Sequence, residues 1–244
     1  FPFRGCVSEN IPVGANTGVN MPIKIYKIDS SPPARAVLMM LEILKLKYEP
    51  INVDVLSGEN RTPEYAEKNP VQKVPLLEDG DFILADSHAI ITYLVSKYGA
   101  DKRSEYYPSD LALRATIDQR LFFDATILFA ALAGIIKGIF YNKNTGPDET
   151  GIAEANTGYA VLEKYLEKTR FVACEYLTLA DVSIVATISS LEVLVPIDEK
   201  YVKVHAWLKK LKDEEWYQKA NVPGLTRIAD FVKMTIEKNR VNSA

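Results

Sequence analysis

The chain has 244 residues, 48% hydrophobic and 25% charged, which is enough apolar material for one large core or two small ones and excludes a disordered polymer. With 29 Lys and Arg against 32 Asp and Glu, the net charge is -3, so there is no strong field to hold a nucleic-acid backbone or an anionic membrane, and a small, locally recognised ligand fits better. Cys6 and Cys174 are the only cysteines, too few for a disulfide framework and without the spacing of a zinc site or a redox dithiol; no metal and a reducing, cytoplasmic setting are expected.

The opening FPFRGCVSENIPVGANTGVN has neither a charged start nor an apolar run of roughly 7 to 15 residues, so it does not read as a secretory signal. Residues 1–21 are expected to be a disordered leader, with regular patterning beginning after Met21. IKIYKI (23–28) alternates apolar and polar residues as a strand does. The Ser-Ser-Pro-Pro turn follows, then a helical pattern from Pro33 to Lys45 with Val37, Leu38, Leu41 and Leu44 on one face. Tyr48 to Val55 reads as a second strand, parallel to the first and covered by the helix between them.

Ser57 to Asn69 reads as a loop and a short helix. Val74 to Leu77 and Phe82 to Leu84 flank the turn Glu78-Asp79-Gly80-Asp81 and form a hairpin. Asp86-Ser87 opens a helix that ends at Gly99. The unit so far is βαβαββα, a domain over 22–99, and the polar, charged stretch 100–108 reads as an interdomain linker.

Everything from 109 to 244 reads helical: Leu111 to Phe140, Ile152 to Lys168, Leu179 to Leu194, Val202 to Lys212 and Leu225 to Lys238, with Pro147, Pro196 and Pro223 at the joints. The Leu179 helix is apolar nearly all round and should be the buried axis of this domain; Thr178 and Asp181 supply a capping box at its start. The most apolar segment, Leu179 to Val195, carries Asp181 and Glu192, so no stretch of roughly 18 to 20 uninterrupted apolar residues is seen and no membrane anchor is expected.

The strings I-Y-K-I-D-S-S-P-P-A-R-A-V, N-P-V-Q-K-V-P-L-L, D-S-H-A-I, Q-R-L-F-F-D and L-T-L-A-D-V resemble, in order, the landmarks of cytosolic glutathione transferases. S-P-P-x-R-A and D-S-H-A-I look most like the insect epsilon class, with delta and theta next. The resemblance runs from about Ile23 to Lys238. It implies a thioredoxin-like N-terminal domain, an all-helical C-terminal domain, glutathione as co-substrate, a small hydrophobic electrophile as acceptor, detoxification as the role, and a homodimer.

On that resemblance Ser31 is the catalytic serine, which donates to the glutathione thiolate and does not itself attack. From the residues alone it reads equally as the cap of a helix that begins with Pro32 and Pro33. Its hydroxyl and the free amides of the helix start are expected to point at the same anion. A thiol of pKa about 8.5 needs roughly 2.7 kcal/mol to drop about two units. A hydroxyl hydrogen bond to a charged group supplies about 1.5 to 3 kcal/mol and a helix N-terminus about 0.3 to 2, so no general base is required.

Val74 and Pro75 match the family position where a cis-proline follows a residue whose backbone pairs with the cysteinyl unit; an ordinary edge-strand proline is the other reading. Asp86 and Ser87 match the pair that receives the γ-glutamyl end, although for these residues alone helix capping is the better explanation. His88 is expected to order the dimer edge or the site wall rather than exchange protons. Two positions that in delta and epsilon relatives are usually histidines near the glycyl carboxylate are Asn60 and Gln72 here, with Lys73 beside the latter, so glutathione affinity is expected either to rest more on Lys73 or to be lower than in typical relatives.

For the acceptor, Phe129, Leu132, Ile136 and Tyr141 recur at helical spacing and could line a pocket with Pro33, though such a stripe is as readily core. The loss of both histidines lends weight to a weakly catalytic carrier of hydrophobic ligands on the same fold. A thiol oxidoreductase ranks last, because serine stands where its cysteine would be.

Overall fold

The structure is a computed structural model and describes residues 22–243; the expected leader, 1–21, lies outside the described residues. Strand β1 (Ile23–Lys27) pairs in parallel with β2 (Tyr48–Asn52), and α1 (Pro32–Leu44) makes the crossover. After the short α2 (Pro63–Lys68), β3 (Leu76–Asp79) runs antiparallel to β1, and β4 (Phe82–Ala85) antiparallel to β3, giving the order β2-β1-β3-β4. Gly80, at φ +63°, turns the hairpin, and α3 (Ser87–Tyr98) closes the βαβαββα unit. A thioredoxin-like N-terminal unit followed by helices is thus the architecture.

Helix α1 is buried on nearly every face, with Ala34 to Leu41 all inside, because it shares a core with the sheet residues Ile23, Ile25 and Leu77 and packs against α3, α8 (Leu179–Leu194) and α10 (Glu215–Ala220). The central α8 (Leu179–Leu194) is buried at every position from Leu179 to Leu191, as a helix apolar all round must be. Its first turn is fixed by the fully buried Asp181, which accepts from the amides of Thr178 and Val172 and from the Trp207 indole. Burial raises the Asp181 pKa against those donors.

The stretch 100–108 is not open chain. It forms a three-ten turn (Ala100–Lys102) and α4 (Arg103–Tyr106), buries Tyr106 and Tyr107, and fastens to α1 through Lys102 Nζ donating to Ile43 O at 2.7 Å. The helix expected over Leu111–Phe140 is α5 (Leu111–Phe123) and α6 (Phe129–Phe140) joined by a π-helical turn, Asp124–Leu128. By length and composition this stretch is apolar enough to cross a membrane, contrary to the reading of the sequence; here its buried side packs against α7 (Glu149–Leu166) and α8.

Helices α7 (Glu149–Leu166) and α9 (Val202–Lys212) follow the pattern expected of them. The sequence reading missed α10 (Glu215–Ala220). It also started the last helix late: α11 spans Val222–Ser243, with Pro223 in its first turn, where a missing N–H costs nothing, rather than at a joint.

Candidate active site

The β1–α1 loop delivers Ser31. Its amide donates to Ile28 O at 3.0 Å, its backbone is extended (φ -74°, ψ 118°), and its Oγ accepts from Ala34 N–H at 3.4 Å. Pro32 and Pro33 fill the first two helical positions and carry no N–H. The expected set of free helix amides is therefore missing: the first amide is that of Ala34, and Ser31 itself takes it. What remains for an anion is the partial charge of the helix end and the Ser31 O–H proton, which no described residue accepts.

The Val74–Pro75 peptide is cis, and Val74 lies just ahead of β3. The preceding loop is held by its own side chains. Tyr65 Oη donates to Lys73 O at 2.8 Å, Asn69 Nδ2 donates to the same oxygen at 2.7 Å, and Asn60 Nδ2 donates to Gln72 O at 2.7 Å. Asn60 is 7% exposed and its Oδ1 is buried without a partner, so its amide shapes the Gln72 backbone instead of reaching out for a carboxylate; this corrects its assignment as a direct contact. Gln72 is half-buried at φ 55°, and Lys73 is exposed with no ion pair among the described residues.

Asp86, at φ 74°, caps α3: its Oδ1 accepts from His88 N at 2.9 Å and Ala89 N at 3.1 Å and lies 3.5 Å from His88 Nδ1. The His88 side chain, with the Ala89 and His88 amides, outweighs burial and holds the Asp86 pKa below its ordinary value. Oδ2 of Asp86 is left without a partner among the described residues. Ser87 is 5% exposed, yet neither its hydroxyl nor its N–H has a partner among them, so two donors sit together at the start of a helix.

His88 Nε2 lies 3.1 Å from Asp124 Oδ2, the same oxygen that accepts from Ser183 Oγ at 2.6 Å. Burial alone would lower the His88 pKa, but hydrogen bonds to Asp124 and Asp86, and the charges of both, raise it to about 9. The imidazolium thus joins the helix that carries Ser87 to the π turn and to α8.

On the acceptor side, Phe129 and Ile136 of α6 and Pro33 of α1 are half-buried. Leu132, 3% exposed, belongs to the core, and Tyr141 is 72% exposed beyond the end of α6. Both depart from the expected pocket lining, because the middle of the stripe turns inward and its end runs out into solvent. Phe140 stacks on Phe231 of α11, ring centroids 4.9 Å apart, so the last helix covers this end of α6. No metal-ligating cluster occurs among the described residues.

Glutathione S-transferase 1 of Manduca sexta is 44% identical over 215 residues, a match covering 87% of this chain and 98% of the relative. The chain belongs to the glutathione S-transferase family. The model of the glutathione S-transferase N-terminal domain matches residues 25–102. Among solved structures, an epsilon-class glutathione S-transferase from the housefly, Musca domestica, is 39% identical with a TM-score of 0.84, over 87% of this chain and 98% of that one. A glutathione transferase homologue from Drosophila mojavensis with bound glutathione is 40% identical, also at 0.84, over 88% of this chain and 97% of that one.

Within this transferase fold, the sequence reading missed Asp124, Arg35, Asn221 and Gly224. Arg35 had a signal: a guanidinium inside the apolar run from Ala34 to Leu41. It is fully buried, bonded to Asn221 Oδ1 at 2.6 Å and to Ser190 Oγ. Gly224 had none; it lets α11 approach the Asp29 carbonyl, two residues ahead of Ser31. Asp124 closes the string Q-R-L-F-F-D, which carried the family resemblance but gave the residue no role.

Proposed function

We propose that the chain transfers glutathione to hydrophobic electrophiles, with Ser31 stabilising the thiolate. The observation that carries this reading is the state of the Ser31 hydroxyl: its oxygen is held by Ala34 N–H while its proton is free. Accepting a hydrogen bond polarises the O–H and fixes its oxygen, so the proton can only be aimed. Donation to a thiolate is worth about 1.5 to 3 kcal/mol, close to the roughly 2.7 kcal/mol that a two-unit fall in thiol pKa requires.

Glutathione supplies the sulfur nucleophile. The chain's part is to bind and orient it: the Ser87 hydroxyl and N–H take the γ-glutamyl carboxylate, Asp86 Oδ2 the ammonium, and the Val74 backbone the cysteinyl unit. Lys73 supplies the positive charge for the glycyl carboxylate, with Gln72 beside it. Half-buried Pro33, Phe129 and Ile136 suit an apolar acceptor. Exposed Phe82 and Ile83 on edge strand β4 and Phe122 on α5 suit burial against a second copy. The free Cys174 thiol suits a reducing, cytoplasmic setting.

The test is conjugation of glutathione to a chlorinated dinitrobenzene by wild type and Ser31→Ala, with retention on immobilised glutathione measured on the same samples. The sulfur–carbon bond forms as chloride leaves with its electron pair, and the thiol proton goes to solvent. Loss of about one to two orders of magnitude in kcat/KM with retention preserved is the expected result. Full activity in Ser31→Ala would sink the mechanism.

A further inference from the structure

At the far end of α1 from Ser31, about 20 Å along a 13-residue helix, the α1 C-terminus, the segment 100–106 and α10 enclose a cleft of 750 Å³. Four of the lining charges offset one another: Lys219 pairs with Glu215 at 2.7 Å and acts on Glu42, while Lys45 acts on Glu215. Lys102 is engaged at the Ile43 carbonyl.

Two further carboxylates differ. Glu105 and Glu214 line the cleft and have no ion-pair partner among the described residues. Both act on the phenol of Tyr106, whose pKa burial, Glu105 and Glu214 together push up to about 12. Tyr106 and Trp216 also line the cleft; each is 9% exposed, and neither the phenol O–H nor the indole N–H has a hydrogen-bond partner among the described residues. Two nearly buried aromatic side chains thus keep a free polar atom at a cleft whose uncompensated charge is negative.

We propose that this cleft is a second ligand site that takes a small organic cation, its ammonium between Glu105 and Glu214 and its apolar body against the Tyr106 and Trp216 rings. Aromatic faces attract a cation, the two carboxylates fix its head, and the free O–H and N–H recognise an acceptor on the body of the ligand. The site is separate from the Ser31 groove and is shared by both halves of the fold.

Dansylcadaverine, a primary ammonium on a naphthalene body, serves as the probe in a fluorescence titration of the full chain, with neutral dansylamide beside it. Saturable binding of the ammonium alone is expected, unchanged by saturating S-hexylglutathione. Glu105→Gln and Glu214→Gln should each weaken it by about fivefold while conjugation of glutathione stays at wild-type rate. Both side chains reach solvent, so the variants fold. Wild-type affinity in the double variant, displacement by S-hexylglutathione, equal binding of dansylamide, or no saturable binding would each overturn the proposal.

Discussion

Arg35 Nη1 lies 2.6 Å from Asn221 Oδ1, so a guanidinium with no solvent exposure ties α1, the helix that Ser31 caps, to the loop before the last helix. Burial lowers the Arg35 pKa to about 10, which still leaves it charged at neutral pH. Its Nε has no partner, so Asn221 and Ser190 carry the whole burden. Asn221→Ala should therefore cost about 2 to 3 kcal/mol, more than an ordinary neutral hydrogen bond, because a buried cation is left under-satisfied. Urea unfolding of the variant measures it, and an unchanged midpoint would show that the guanidinium has another acceptor.

The His88–Asp124 link should make stability fall at high pH. The folded-state pKa of His88 is raised to about 9 from 6.5, so the stabilisation is complete below about 6.5 and is lost as pH rises through about 9. The shift corresponds to at most about 3 kcal/mol. Thermal unfolding of wild type and His88→Gln from pH 6 to 10 should show a gap that closes toward pH 10; a gap independent of pH would mean that the ring is neutral in the folded chain.

Two glycines should respond to alanine with opposite signs. A Cβ on Gly224 would lie 1.9 Å from Asp29 O and 2.7 Å from Arg35 Cδ, so α11 must back away from the loop that carries Ser31. Gly224→Ala should cost about 1 to 3 kcal/mol and lower kcat/KM as well. Gly134, inside α6, has nothing within 4 Å of its Cβ position, and Gly134→Ala should add about 0.5 to 1 kcal/mol. Melting temperatures of the two variants decide it.

Ser87→Ala removes one of two donors at the α3 start without disturbing the cap, which belongs to Asp86. Michaelis kinetics should show KM for glutathione raised by about tenfold with kcat nearly kept, since the lost bond is equally strong in the ground and transition states. A fall confined to kcat would place Ser87 at the sulfur instead.

Most of the N-terminal half was legible because its signals are local: alternation in IKIYKI, Gly80 in the hairpin, and Asp86 before an apolar helix. The single helix read over 111–140 was not, because the i→i+5 turn at Asp124 to Leu128 changes hydrogen bonding and leaves composition alone. Helix α10 was too short to show a period. At the candidate site, Ser31, Asp86 and Ser87 stand out in the sequence because they sit at helix starts. Asn60 was misread because its partner is a backbone oxygen, and Leu132 and Tyr141 because a stripe does not say where along the helix it dips inward. Asp124 and Gly224 act on residues 36 and 195 positions away, and only the folded chain brings those together.

The two prolines that follow Ser31 have a consequence for binding. The Pro32 ring keeps the residue before it in extended backbone, where Ser31 sits at φ -74° and ψ 118°, so the Cα–Cβ bond of Ser31 is oriented when the chain folds and not when a ligand arrives. The entropy of ordering this loop is already lost in the free protein, which leaves one hydroxyl rotor to settle on binding. A site arranged in this way should show little change in backbone protection from hydrogen exchange at residues 28–35 when glutathione is added.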